Sequence, residues 1–255
     1  MTVAQLAKTI VVGLTAGFLS GLFGVGGGIL IVPALVLVLA MGQRLAHGTS
    51  LAAVLPIAVS GLAGFASEDS VDWPVGLALT AGAMGGAVIG THALQRLSAR
   101  ALSRAFSAVL IVSAARLVFE RGEAGGRADL TVAGFVALVA IGLLAGMLAG
   151  LLGVGGGVVM VPAMILLFGV PAAVAKGTSL AVIIPTSVVA TYRNVRNDNA
   201  DLRTAAAVGI AGVASAFVAS KISVGLDESV SNAMFAALLA FVAVRMFVKS
   251  FAEAG

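Results

Sequence analysis

From Thr9 to Ala40, and again from Leu130 to Gly169, the chain carries no charged side chain. A bilayer core of about 30 Å is crossed by about 20 apolar residues of helix, so each run is longer than one span needs. Other apolar stretches of membrane length follow: Gly48 to Ala66, Trp73 to Leu94 and Leu102 to Phe119, then Gly177 to Tyr192, Leu202 to Ala219 and Val230 to Val248. With 60% hydrophobic and 10% charged residues, the chain reads as a multi-pass helical membrane protein.

The two long uncharged runs share a text. "GLFGVGGGILIVPA" (Gly21 to Ala34) returns as "GLLGVGGGVVMVPA" (Gly150 to Ala163), at an offset of 150 − 21 = 129 and with 10 of 14 positions identical. The same offset carries "HGTSLAAVLP" (His47 to Pro56) onto "KGTSLAVIIP" (Lys176 to Pro185), Asp72 onto Asp201, Phe106 onto Phe235 and Arg116 onto Arg245. No insertion is needed between Gly13 and Phe119. The chain is a duplicated unit: residues 1–119 form repeat one, 120–129 a polar linker ("ERGEAGGRAD") and 130–255 repeat two. Because Gly13 to Ala40 has its own copy, we expect it to belong to the mature fold rather than to a cleaved signal, even though Lys8 precedes it.

Loop charges address how the copies are oriented, since Lys and Arg favour the cytoplasmic side. Ser67 to Asp72 holds three acids and no base, whereas its counterpart Arg193 to Arg203 holds three arginines. The next pair reverses, with Arg96, Arg100 and Arg104 in repeat one against Lys221, Asp227 and Glu228 in repeat two. Equivalent loops prefer opposite sides, so the repeats are expected to be inverted. Only Arg121 and Arg127 in the linker fit this less easily. Inversion then requires each glycine-rich segment to begin and end on one face. The expected fold is an all-α polytopic membrane protein of two inverted repeats, each a broken or re-entrant glycine-rich helical hairpin followed by three transmembrane helices.

Irregular backbone at membrane depth is tolerated only where protein or a water-filled cavity covers it, so the hairpin tips should lie inside the protein. Glycine lets the chain turn through positive φ and lets a ligand approach. Pro33 and Pro162 are expected in the first turn or so of the outgoing half-helix, where a missing N–H matters least. The N–H groups of such a helix start suit an anion. In the second motif, Thr49, Ser50, Thr178 and Ser179 read as N-cap residues opening the next helix, their hydroxyls free to cap backbone or meet a ligand. Pro56 and Pro185, seven residues beyond the threonines, are expected to kink that helix and free a carbonyl.

The expected substrate-binding set is therefore Gly26, Gly27, Gly28, Pro33, Thr49, Ser50 and Pro56, with Gly155, Gly156, Gly157, Pro162, Lys176, Thr178, Ser179 and Pro185. His47, Arg116 and Arg245 are further candidates, and His92, matched by Lys221, is a weaker one. Each has a plainer reading: glycines pack helices closely, hydroxyls bond their own helix carbonyls, and Arg or Lys near helix ends snorkel to the interface.

Other chemistries lack their residues. There are no cysteines and only two histidines, so no disulfide framework, thiolate metal site or His cluster is expected, and no cofactor. GVGGG lacks the Lys-Ser/Thr ending of a phosphate loop and the strand and partner acid of a dinucleotide site. No catalytic triad or paired intramembrane carboxylates point to an enzyme. The excess of 15 basic over 11 acidic residues is assigned to cytoplasmic loops rather than to nucleic acid.

A glycine-rich GxGGGxxxxP entry followed by GTSL and a downstream proline, both duplicated, resembles the sulfite exporter TauE/SafE family. The stretch beginning "VDW" at Val71 resembles it too, although its counterpart "ADL" leaves Trp73 unmatched. The resemblance implies a secondary transporter of the bacterial inner membrane that moves, and often exports, sulfite, a sulfonate such as sulfoacetate, or a related small sulfur-containing anion. The implied partners are that anion and the lipid bilayer. The implied substrate region is Gly24 to Gly28, Pro33, Thr49, Ser50 and Pro56 with their repeat-two counterparts. Alternatives are a channel or permease for another small solute, and a non-transporting membrane scaffold. The particular anion, direction, coupling ion and oligomeric state stay open.

Overall fold

The computed structural model describes residues 3–93, 111, 115, 131–153 and 155–252. Among them run nine helices and no strand: α1 (Val3–Phe23), α2 (Gly28–Val38), α3 (Gln43–Ala66), α4 (Trp73–Ala93), α5 (Val132–Leu152), α6 (Gly157–Phe168), α7 (Ala172–Arg196), α8 (Leu202–Gly225) and α9 (Glu228–Ala252). Six of them, α1, α3, α4, α5, α7 and α8, are long and apolar enough to cross a membrane. The polar linker 120–129 and Arg116 lie outside the described residues, as do most of the expected Leu102 to Phe119 span and the side chains of His92 and Arg245.

The duplication written in the sequence reappears in the helix bounds. α1 begins at residue 3 and α5 at 132, α2 at 28 and α6 at 157, α3 at 43 and α7 at 172, and α4 at 73 and α8 at 202. Each pair keeps the offset of 129, as 132 − 3 and 202 − 73 both show.

Packing joins the halves crosswise. α1 lies along α8 and α4 along α5, so the first helix of each repeat pairs with the fourth of the other. Glycine makes these seams. A Cβ on Gly13 would stand 2.4 Å from the Val208 carbonyl, on Gly17 2.2 Å from that of Gly212 and on Gly21 2.2 Å from that of Ala216. The order 13–17–21 against 208–212–216 makes α1 and α8 parallel. Gly82, Gly86 and Gly90 meet Val139, Leu143 and Met147 in the same way, so α4 and α5 are parallel as well. Without side chains at these positions the backbones approach closely enough for dispersion to hold helices that lipid would otherwise solvate equally well.

α3 and α7 occupy the middle and run antiparallel. Gly48, near the start of α3, sits against Asn194 and Asn199 at the end of α7, and Gly177, near the start of α7, sits against Phe65 and Ser70 at the end of α3. The loop after α3 and the loop after α7 therefore lie at opposite ends of the pair. Buried residues of both helices, among them Val54, Ile57, Leu180 and Ile183, join Phe65 and Phe235 in the core. Large apolar side chains such as Leu37, Leu77, Val132 and Ile210 face outward, as suits an acyl-chain environment.

Each glycine-rich segment folds back on itself. A Cβ on Gly27 would lie 2.7 Å from the Ala16 carbonyl, a point two turns back along α1. Val38, at the far end of α2, lines a shallow groove with Ala7, Lys8, Val11 and Val12. α2 therefore returns along α1, and α6 returns along α5, with Gly156 2.9 Å from the Ala145 carbonyl by the same measure. A helix turning back needs left-handed backbone, and glycine supplies it: φ is +68° at Gly24, +78° at Gly26 and +73° at Gly27, and +67°, +88° and +74° at Gly153, Gly155 and Gly156.

Two local expectations are corrected. Thr49, Ser50, Thr178 and Ser179 do not open their helices: α3 starts at Gln43 after Gly42, and α7 at Ala172 after Pro171. The segments Gln43–His47 and Ala172–Lys176 hold no helix breaker, so the helix propagates through them before it reaches GTSL. Pro33 and Pro162 sit at the sixth residue of α2 and α6 rather than in the first turn. Each removes one helical hydrogen bond there, which frees the carbonyl four residues earlier, at Ile29 and Val158. Pro56 and Pro185 stand inside unbroken helices. The Pro56 ring occupies a notch at Gly209 of α8, where a Cβ would meet its Cγ at 2.5 Å.

Candidate functional site: twin glycine tips

The two hairpin tips meet. A Cβ on Gly157 would fall 2.6 Å from the Gly24 carbonyl and 2.8 Å from Val25 Cα, and one on Gly155 would fall 3.4 Å from the Val25 carbonyl. Val25 is fully buried, and Gly24 to Gly28 and Gly155 to Gly157 are buried with it. Gly26, Gly27, Gly28, Gly155, Gly156 and Gly157 are buried, as the sequence leads one to expect of a hairpin tip, and the structure sets the two tips side by side. Val54 and Ile183, equivalent residues of α3 and α7, close over them. At the Gly26 position a Cβ would lie 3.1 Å from Val54 and 3.3 Å from Ile183, and at Gly155 it would lie 3.7 Å from Ile183.

Each tip opens a short helix whose N-cap is a left-handed glycine with no side-chain cap, Gly27 for α2 and Gly156 for α6. The Gly27 carbonyl accepts from Leu30 and Ile31, and the Gly156 carbonyl from Val159 and Met160. The first N–H groups of both helices precede the hydrogen-bonded ladder. Their dipoles bring partial positive charge, about half an elementary charge at each start, to one buried point.

The GTSL hydroxyls divide into two pairs. Thr49 Oγ1 accepts the Asp201 N–H at 2.9 Å, and Thr178 Oγ1 accepts the Asp72 N–H at 2.8 Å. Both threonines are fully buried and act as crossed latches, each tying the loop before the other repeat's fourth helix. The serines face the tips. Ser50 Oγ donates to the Gly153 carbonyl at 3.1 Å. Its mirror would run from Ser179 to Gly24, yet the fully buried Ser179 hydroxyl has no hydrogen-bond partner among the described residues. It stands 2.8 Å from the place a Cβ on Gly157 would take.

The basic candidates lie beside the tips rather than between them. Lys176 carries its backbone against Gly24, where a Cβ would meet Lys176 Cα at 2.5 Å. Its ammonium turns away, donating to Ser231 Oγ at 2.6 Å and Ser223 Oγ at 3.1 Å. His47 holds the equivalent place at the second tip, with Nδ1 3.1 Å from the Leu151 carbonyl. Pro33, Pro56, Pro162 and Pro185 shape the helices around the tips. Ser223 and Ser231 were missed by the sequence reading, because a serine in an apolar helix gives no signal until its partner is known.

Antiparallel central helices, crossed seams and two buried glycine hairpins define a polytopic membrane protein of the duplicated kind in which transporters enclose a central site. The family model of the sulfite exporter TauE/SafE matches residues 2–117 and 138–255, and the chain belongs to that family. "Probable membrane transporter protein YunE" of Bacillus subtilis is 31% identical over 202 residues, 70% of this chain and 74% of its own length. A "Probable membrane transporter protein" of Xylella fastidiosa is 36% identical over 114 residues, 44% of each chain. Another of that name from Haemophilus influenzae is 33% identical over 113 residues, 42% of this chain and 43% of its own.

Proposed function

We propose that this chain is a secondary transporter of the bacterial inner membrane that moves a small sulfur-containing oxyanion, sulfite or a sulfonate, by alternating access. One observation carries the reading: two buried, uncapped helix starts converge tip to tip beside an unpartnered Ser179 hydroxyl. Buried N–H donors and a free hydroxyl are what an oxyanion needs in place of water. Among the described residues no acid flanks the tips to favour a cation there.

Inversion of the repeats is supported by the antiparallel course of α3 and α7, which separates the acidic 67–72 loop from the arginine-bearing 193–203 loop. The serines suggest how the halves exchange roles. In the described state Ser50 holds tip two through Gly153 and Ser179 is unbonded. In the opposite state Ser179 takes the Gly24 carbonyl and Ser50 releases Gly153. The binding set is then Gly26, Gly27, Gly28, Gly155, Gly156 and Gly157 with Ser50 and Ser179. Thr49, Thr178 and the four prolines position it.

Proteoliposome flux of sulfite, sulfate, thiosulfate, sulfoacetate and taurine tests the proposal. Saturable uptake of sulfite or a sulfonate is the expected result; uptake of cations or neutral solutes with none for any oxyanion would refute it.

A further inference from the structure

Lys176 is the fifth residue of α7 and is 1% exposed. Its Nζ donates two hydrogen bonds, to Ser231 at 2.6 Å and Ser223 at 3.1 Å, and lies 5.8 Å from the centroid of the Phe23 ring. Phe23 stacks on Phe235 at 5.8 Å, and Ser223 in turn donates to the Leu22 carbonyl at 2.8 Å. An ammonium has three N–H donors, so one is left after the serines. Two hydroxyls and a ring solvate the charge without cancelling it.

Among the described residues no carboxylate cancels it either. The ion pair among the described residues is Lys221 with Glu68, 2.5 Å apart. Glu228, one turn before Ser231 on α9, directs its carboxylate to the Ala172 N–H at 3.4 Å instead, and no salt bridge joins it to Lys176. The position compounds the cost, since a cation near a helix start faces the positive end of the dipole. A buried charge with no ion-pair partner among the described residues is expensive, and an anion beside it would offset that cost.

The duplication shows that the arrangement belongs to one half. Subtracting 129 from 176, 223 and 231 gives His47, Leu94 and Leu102. Where repeat two has an ammonium and two hydroxyls, repeat one has an imidazole and two leucines. All three positions differ together, as members of one site would.

We propose that Lys176, Ser223 and Ser231 form an anion seat, found only in repeat two, in which a compact oxyanion meets the remaining ammonium N–H and the Ser231 hydroxyl beside Phe23, while Ser223, its own proton given to the Leu22 carbonyl, holds the ammonium in place. The inference rests on the transporter reading and deepens it. The seat lies three residues before Ser179, less than one helical turn, and its backbone supports tip one at Gly24. The seat lies toward the end of the molecule that carries Glu68 and Lys221, since Gly177 packs against Ser70 and Phe65 there. Net charge is thus supplied on one side of the pseudo-symmetric centre only.

Equilibrium binding of radiolabelled sulfite, and separately of sulfate, to the purified full chain tests the seat. Three variants are compared: Lys176→Met, which removes the charge at similar volume; K176H/S223L/S231L, which installs the repeat-one residues; and Ser179→Ala at the tips. The expected result is at least a tenfold loss of affinity in the first two, with Lys176→Met melting no lower than the wild type in anion-free buffer. A structural lysine would instead lower the melting temperature. Wild-type affinity in Lys176→Met or in the triple variant overturns the seat. If Ser179→Ala then loses binding, the tip reading survives without it. Failure of the wild type to bind either anion overturns the seat as well, and flux of a non-anionic solute by that same protein refutes the transporter reading separately.

Discussion

Thr178 Oγ1 lies 2.8 Å from the backbone nitrogen of Asp72 and accepts its N–H, and the equivalent pair, Thr49 and Asp201, repeats the bond at 2.9 Å. The two bonds cross between the halves, so in this structure the threonines of GTSL tie each half to a loop of the other. Thr178→Val keeps the shape and leaves the Asp72 amide buried without a partner, which costs about 1–3 kcal/mol. The expected outcome is a lower melting temperature with sulfite affinity within about twofold of wild type. A large loss of affinity at unchanged stability would return Thr178 to the binding set.

The glycines separate into seam and tip. A methyl at Gly86 would enter the α4–α5 seam 2.0 Å from the Leu143 carbonyl, where only backbone could move. Gly86→Ala should destabilise by about 1–3 kcal/mol through overpacking, read as a fall in melting temperature and in the yield of monodisperse protein. Unchanged stability would mean that the seam is looser than described.

Asp201 caps α8. Burial pushes its carboxyl up, but the hydroxyl and amide of Thr204, the Arg203 amide and the Arg203 charge outweigh it, so Asp201 titrates below the usual carboxylate range. A lowered folded pKa contributes stability that is present above the unfolded value, near 3.9, and is lost as pH falls through the folded one. Asp201→Asn retains a capping side chain, so it should melt near wild type around neutrality and lose less stability on acidification below about pH 4. Parallel pH profiles for the two proteins would contradict this.

Opposite placement of the loops after α3 and α7 can be read chemically, because the chain has no cysteine of its own. Single cysteines at the exposed positions Ser67 and Asn197 should react with a membrane-impermeant thiol reagent from opposite faces of oriented vesicles. Labelling from one face would sink the inverted arrangement.

Much of this architecture was legible in the sequence because duplication is arithmetic. The offset that aligned GVGGG with its copy also aligns the helix bounds, and the uncharged run from Thr9 to Ala40 was too long for one span and too short for two. The tips could be foreseen because only glycine tolerates the left-handed backbone a buried turn demands. What the residues could not reveal was the choice of partner. Thr49 and Ser50 are neighbours in one motif, yet one latches a distant loop and the other faces a tip, a difference of about 100° around a helix. Local propensity likewise gave no warning that α3 and α7 begin six residues before the GTSL threonines. Lys176 stood out by its charge, but Ser223 and Ser231 became significant only when the fold set them against it.

The central claim is that an oxyanion sits between the two glycine tips. Gly26→Ala tests it most directly. The new methyl would meet only the side chains of Val54 and Ile183, at 3.1 and 3.3 Å, while left-handed backbone with a Cβ costs about 1–2 kcal/mol. The protein should therefore fold with modestly reduced stability and carry a methyl where the ligand belongs. Radiolabelled sulfite uptake into proteoliposomes is predicted to be saturable in the wild type and reduced at least tenfold in Gly26→Ala at equal folded protein; uptake unchanged by that methyl would contradict the account.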